Sequence, residues 1–361
     1  MSSTVIRDPN DADQFSLDRL RSCLLQAGFS GAGNLESYDV EQMDATNASM
    51  YKIRLRPDAP DVRLPRSLIL KVCRSQEFGP SEVYYYGRDY RDADDIPLLA
   101  CYDAAFEDHA YHLLLEDVSD SHRNSWELSP DSEYAAQVAA AVAKLHSCRW
   151  GPDRIKEAGY PEMDTSQLDR YLAHVERGCA PLLEELMQEG RHDLAAVARL
   201  VFDKLPAVLR RRIRQFPSLC TLVHGDINPG NILVPKSGSG GSVFLIDRQP
   251  FDWSLLSWFG PADLAYLTVL FWEPENRRKL ERDLLKAYHQ VLSGRCAADY
   301  RWEQLWIDYK LSAMQCFYVA ASWCIDPAER TEMRWLWRRE LERAVLAFQD
   351  LQGGELLNAA E

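Results

Sequence analysis

Three polar side chains capable of chemistry fall within eight residues, in the run His224-Gly225-Asp226-Ile227-Asn228-Pro229-Gly230-Asn231, and Asp247 follows sixteen positions after Asn231. A carboxylate that can orient a hydroxyl, followed by an amide and a second carboxylate that can offer oxygens to magnesium, is what phosphoryl transfer requires. The run also has a bland reading, because Asp, Asn, Gly and Pro are the ordinary residues of turns. The ordered spacing favours the chemical one.

The flanking residues suggest how these groups are positioned. Ile232-Leu233-Val234 and Val243-Phe244-Leu245-Ile246 are short apolar runs bounded by turn residues, which predicts two strands. Between them Pro235-Lys236-Ser237-Gly238-Ser239-Gly240-Gly241-Ser242 has the composition of a flexible hairpin loop. Asn231 then begins one strand and Asp247 ends the other. The expected pairing of these strands would place a hard-cation site of amide and carboxylate oxygens there.

Upstream, Ser67-Leu68-Ile69-Leu70-Lys71-Val72 reads as an apolar strand bearing one lysine. A buried ammonium there needs a partner. Glu82, in the helix start Ser81-Glu82-Val83-Tyr84-Tyr85-Tyr86, is the candidate; a surface lysine and a glutamate favoured by the helix dipole are the alternative.

The order His-x-Asp-x-x-x-x-Asn, then a strand-end Asp, resembles the catalytic and metal-binding segment of the protein-kinase-like superfamily. His-Gly-Asp and the later Gly260-Pro261-Ala262-Asp263-Leu264-Ala265 resemble the aminoglycoside phosphotransferase/choline kinase branch, most of all the ecdysteroid-kinase-like small-molecule kinases. The resemblance spans roughly residues 30 to 350. It implies that Asp226 is the catalytic Asp, that Asn231 and Asp247 bind Mg2+, and that Lys71, held by Glu82, contacts the nucleotide phosphates. His224 would brace the loop. Asp263 would either cap a helix or support the loop from behind. Leu145, His146 and Trp150 match a recurring helix end, with His146 a structural histidine.

Other implied positions are weaker in sequence. Met43-Asp44-Ala45-Thr46-Asn47-Ala48-Ser49 falls where the family has its nucleotide loop but contains no glycine. Thr46, Asn47 and Ser49 either offer groups to phosphate or form an ordinary hairpin loop. Tyr111-His112-Leu113-Leu114-Leu115-Glu116-Asp117-Val118 resembles the passage from strand to hinge, where adenine would bond backbone groups near Glu116 and Val118. Arg248 stands where the family carries an aromatic or aliphatic residue; it could give a positive charge near the phosphates, but a solvated side chain is the expectation, because long charged side chains mostly remain exposed.

Composition bounds the rest. The chain has 361 residues, 46% of them hydrophobic, with a net charge of −14, which suits an acidic globular enzyme and argues against nucleic acid as a partner. There is no long apolar span and no recognisable signal peptide, so a cytoplasmic protein without a membrane partner is expected. Nine cysteines without a Cys-x-x-Cys pair read as reduced, buried thiols.

The pattern predicts an α+β, bilobal protein-kinase-like fold. Residues 1–117 would form a small antiparallel-sheet lobe with an N-terminal helix. Residues 118–361 would form a large, mainly helical lobe carrying the catalytic loop and the acceptor site. The helical stretches fall near 165–188, 192–214, 276–292, 299–322 and 328–350. Seven tryptophans lie between Trp258 and Trp337. Most read as core, with Trp258 and Trp323 as candidates to wall an acceptor pocket. Asp252 and Asp326 could bind a cationic acceptor or simply cap turns and helices.

The implied activity is ATP- (or GTP-) dependent phosphorylation of a hydroxyl on a small molecule such as an amino sugar, antibiotic or amino alcohol, by a monomer or homodimer. The alternative is an inactive nucleotide-binding scaffold of the same fold. A protein kinase is disfavoured, because the short run from Asp247 to Gly260 leaves little room for a peptide-docking segment.

Overall fold

The computed structural model describes residues 4–45, 47–74, 79–91, 93–237 and 241–358. The chain folds as α+β and divides into two compact units. The first comprises Met1–Asp94, Leu98–Arg123 and Leu233–Asp252; the second comprises Asp95–Pro97, Asn124–Ile232 and Trp253–Glu361.

The first unit is built on an antiparallel sheet of β1 (Leu35–Met43), β2 (Ser49–Pro57), β3 (Ser67–Arg74), β4 (Cys101–Glu107) and β5 (Ala110–Glu116), in the order β1-β2-β3-β5-β4. β3 and β5 are central and buried on both faces, which explains their near-continuous apolar sequences. The register sets Lys71 opposite Leu113 on β5 and opposite Met50 on β2. The helix Leu17–Gln26 begins where the Ser16 hydroxyl caps the Arg19 amide and ends before Gly28, at φ +92°. Its Leu20 and Leu24 pack with Phe15, Ile53, Leu68, Leu70 and Leu114 into the core of this unit. Ser81–Tyr84 is one α-turn that continues as a π-helical stretch, Tyr85–Asp89. Such widened turns recur at functional sites.

The second unit is helical. Ser132–Cys148 packs along Pro274–Arg295, and Trp302–Ser322 packs against Arg334–Asp350, Pro261–Ala265 and His192–Gln215. The expected helix over 165–188 is Thr165–Val175 and Cys179–Gln188, joined by a 3-10 turn. The joint holds Gly178, where an added Cβ would strike the Ala321 carbonyl. The stretch expected over 328–350 is likewise divided, at Met333, into Pro327–Glu332 and Arg334–Asp350.

Among the described residues no helix is long and apolar enough to cross a membrane. All nine cysteines are free. Five are buried, but Cys296 is exposed and Cys23, Cys101 and Cys148 are half-buried, so the expectation of buried thiols holds only in part.

Candidate functional site

In the first unit the chemistry gathers around Lys71. Its apolar strand buries the stem, and the ammonium meets Glu82 Oε2 at 2.7 Å and Asp247 Oδ1 at 2.5 Å. Burial alone would push the ammonium pKa down; the Glu82 and Asp247 carboxylates outweigh it and raise it above the ordinary lysine value, so the charge persists at neutral pH. Glu82 is held in turn. Tyr111 donates its phenol proton to Glu82 Oε2 at 2.6 Å, and Gln249 Nε2 donates to the same oxygen at 3.1 Å and to the Tyr111 oxygen. Asp247 adopts a left-handed backbone conformation, φ +66°, which non-glycine residues seldom accept without surrounding support.

Arg248 corrects the expectation of a solvated side chain. It is fully buried, with Nη1 3.4 Å from Asp89, itself fully buried at the end of the π-helical stretch. Burial is possible because the guanidinium meets a carboxylate and lies 5.9 Å from the Tyr85 ring centroid. Three consecutive side chains therefore reach the Lys71–Glu82 region: Asp247 to Lys71, Arg248 to the helix bearing Glu82, and Gln249 to Glu82 itself.

In the second unit the site is the loop 224–231. Gly225 supplies φ +86°, and Asn228 caps the short 3-10 turn Pro229–Asn231 through the Gly230 amide. Both oxygens of the Asp226 carboxylate are oriented. Oδ1 accepts from the Asn228 amide at 2.9 Å and the Tyr266 hydroxyl at 3.0 Å, and Oδ2 accepts from Asn231 Nδ2 at 3.0 Å. Burial and the Asp226 charge push the Tyr266 pKa well up, so it remains a donor.

The loop is anchored from behind by Asp263. One of its oxygens accepts from the His224 amide at 2.7 Å, the other from the Gly225 amide at 2.8 Å. His146 pairs with the same carboxylate at 2.9 Å and with the Tyr288 hydroxyl at 2.9 Å. Burial acts to raise the Asp263 pKa, but His146 and the loop amides overcome it and hold the pKa below the ordinary value. Asp263 thus supports the loop and is not the cap of its helix, a position Gly260 occupies. His224 is buried, its ring Nδ1 facing the Asp226 amide at 3.3 Å.

Each unit carries one side chain with the oxygen chemistry that magnesium takes: in the second, Asn231 commits its amide nitrogen to Asp226 and keeps an amide oxygen, and in the first, Asp247 offers a carboxylate. Among the described residues no three His, Cys, Asp or Glu side chains form a metal cluster of their own. Magnesium commonly takes one or two protein carboxylates and draws its remaining oxygens from phosphate and water.

The remaining candidates are distributed differently. Thr46 lies outside the described residues; Asn47 and Ser49 are exposed, Ser49 opening β2. The Glu116 amide is taken by the Ala100 carbonyl, and the Val118 carbonyl accepts from Ser121 and His122. Trp258 is buried with its indole N–H donating to Gln315, and Asp326 caps Pro327–Glu332 through the Ala328 and Glu329 amides. Asp252 is exposed. Trp323 is half-buried beside Glu340, a buried carboxyl whose pKa rises to about 7 through burial. Sequence reasoning did not single out Tyr266 or Gln249. Tyr266 follows Asp263 by three residues on one helical face, and that spacing was the available signal.

A search of curated proteins finds no match. Among solved structures, the chain is similar to a choline kinase from Cryptosporidium parvum, with 12% identity, a TM-score of 0.60, and coverage of 96% of this chain and 97% of that one. It is also similar to the spectinomycin phosphotransferase APH(9)-Ia, solved in complex with ADP and spectinomycin, with 10% identity, a TM-score of 0.52, and coverage of 87% and 93%. At these identities the likeness is one of fold. The model of the ecdysteroid kinase-like family matches residues 88–298, more than half of the chain, and the chain belongs to that family.

Proposed function

We propose that this member of the ecdysteroid kinase-like family transfers the terminal phosphoryl group of ATP to a hydroxyl of a small molecule. The observation that carries the reading is the Asp226 carboxylate, half-buried and oriented on both oxygens by Tyr266, Asn228 and Asn231. A carboxylate so fixed is suited to accept a hydroxyl hydrogen bond and align the oxygen for attack. Lys71, charged between Glu82 and Asp247, supplies positive charge for the α- and β-phosphates. Asn231 and Asp247 would each offer an oxygen to magnesium, whose charge would neutralise that of the phosphates.

In this reading residues 1–117, with the segment carrying Asp247, serve the nucleotide, and residues 118–361 carry Asp226 and the acceptor site. Adenine bonds the Glu116 carbonyl and the Val118 amide, and Asn47 and Ser49 lie toward the phosphates. The ADP held by the spectinomycin phosphotransferase supports an adenine nucleotide as donor. The acceptor is a hydroxylated small molecule such as an amino sugar, amino alcohol or other natural product.

The test is transfer of label from γ-labelled ATP, with magnesium, into pooled hydroxylated small molecules by wild type and Asp226→Asn. Product from the wild type alone is expected. Equal labelling by both proteins removes Asp226 from its role. ATP binding without product from any pool points to a scaffold.

A further inference from the structure

Lys71 has two carboxylate partners, and they are not held alike. The Asp247 side chain is 38% exposed, on a residue with a left-handed backbone. The Glu82 side chain is 2% exposed, and the oxygen that meets the ammonium also accepts from Tyr111 and Gln249. Neither of these two residues has a part in the proposed catalysis.

The strand register brings Tyr111 to this place. On the antiparallel pair β3–β5, Lys71 stands opposite Leu113 and Cys73 opposite Tyr111. Lys71 and Tyr111 therefore share one face of the sheet, one side-chain pair apart. Tyr111 is fully buried, and its hydroxyl donates to Glu82 Oε2 at 2.6 Å. Burial and the Glu82 charge push the phenol pKa far up, so it remains a donor at neutral pH. Gln249 Nε2 reaches the same Glu82 oxygen at 3.1 Å and also the Tyr111 oxygen. Turned the other way, the Gln249 amide would set its oxygen against a carboxylate, so the chemistry of the site fixes its orientation. Tyr111, Gln249 and Glu82 close a triangle of hydrogen bonds, and Lys71 is the third donor on Glu82 Oε2.

We propose that Tyr111 and Gln249 are positioning residues that make Glu82 the standing partner of Lys71 and leave Asp247 the exchangeable one. Two neutral donors to a buried carboxylate fix its rotamer, and bonds to a charged acceptor are the strong ones. The more exposed Asp247 carboxylate can give up the ammonium to another cation. Lys71 then stays on Glu82, aimed at the nucleotide phosphates. The inference rests on the reading of Lys71 as the phosphate-binding residue and adds the groups that aim it.

The test separates phosphate recognition from general damage to this unit. Binding of ADP and of adenosine, each with magnesium, is measured by saturation-transfer NMR on wild type, Tyr111→Phe and Gln249→Met. Tyr38→Phe is the structural control, because it removes a hydroxyl bonded to the Phe15 carbonyl in the same unit. Tyr111→Phe and Gln249→Met should each weaken ADP about three- to tenfold and leave adenosine unchanged, while Tyr38→Phe binds both as wild type does. Melting curves show whether either variant fails to fold, in which case the other carries the comparison. Loss of ADP and adenosine by the same factor, or unchanged ADP affinity in both variants, overturns the inference. A wild type that binds no ADP overturns it together with the kinase reading. Phosphate transfer is assayed in parallel. ADP weakened in these two variants, with no transfer to any acceptor by the wild type, keeps the positioning role and removes the kinase reading. Transfer by the wild type with ADP affinity unchanged in both variants does the reverse.

Discussion

Replacing Arg248 with Met tests whether the buried pair with Asp89 connects the Asp247 segment to the helix bearing Glu82. Both side chains are fully buried at a separation of 3.4 Å. With an effective dielectric near 20, two unit charges at that distance attract by about 5 kcal/mol, most of which offsets their desolvation. Asp89 keeps a second partner, Arg88, at 2.9 Å. Arg248→Met should therefore cost about 2–4 kcal/mol, toward or below the lower end of the range for breaking a buried pair. Asp89→Asn should cost a similar amount. In the double variant the costs should fall short of additivity by at least about 1.5 kcal/mol, because each single change already removes the pair. The assay is urea denaturation of the four proteins, followed by the KM for ATP. Arg248→Met is expected to raise that KM, because the backbone after Asp247 loses its fixed neighbour. Additivity within about 0.5 kcal/mol would refute the coupling, and an unchanged KM would confine the pair to stability.

Three further outcomes follow from the same contacts. Asp263→Asn puts an amide donor where the His224 and Gly225 amides and His146 all need an acceptor; it should cost about 3–5 kcal/mol in a denaturation assay and lower turnover more than ATP binding. Gly260→Ala would bring a methyl within 2.2 Å of the Tyr288 hydroxyl and 3.0 Å of His146, and should destabilise by about 1–3 kcal/mol or more, read as a fall in Tm. Glu340 has a folded pKa raised by burial to about 7 from an ordinary 4.5. Both states are protonated below pH 4.5. Between 4.5 and 7 only the unfolded chain releases the proton, so stability falls as pH rises through that window and levels above it. Glu340→Gln should remove this dependence, gaining at most about 3 kcal/mol on wild type at pH 8 relative to pH 4.5; parallel stability–pH curves would rule it out.

The chemistry-bearing spacing and the fold class were legible in sequence because they rest on local signals. An apolar β-branched run holds Lys71 in a strand, Ser16 starts a helix, and Asp226 to Asn231 lie on one turn-rich loop whose geometry Gly225 and Pro229 dictate. Element boundaries slipped where a distant contact intervened, as at Gly178 against Ala321.

What tertiary structure alone decided are partnerships between residues far apart in the chain. Arg248 reads as a surface cation until Asp89, 159 positions away, supplies the charge that permits burial. Trp258 could be core or pocket wall by its sequence, and only the structure supplies Gln315, 57 positions away, as the partner of its N–H. Asp263 could be a cap or a brace, and the loop amides that close on it decide for the brace. Local propensity fixes which backbone shapes a segment can adopt, but the burial of a polar group depends on whether another part of the chain brings its counterpart.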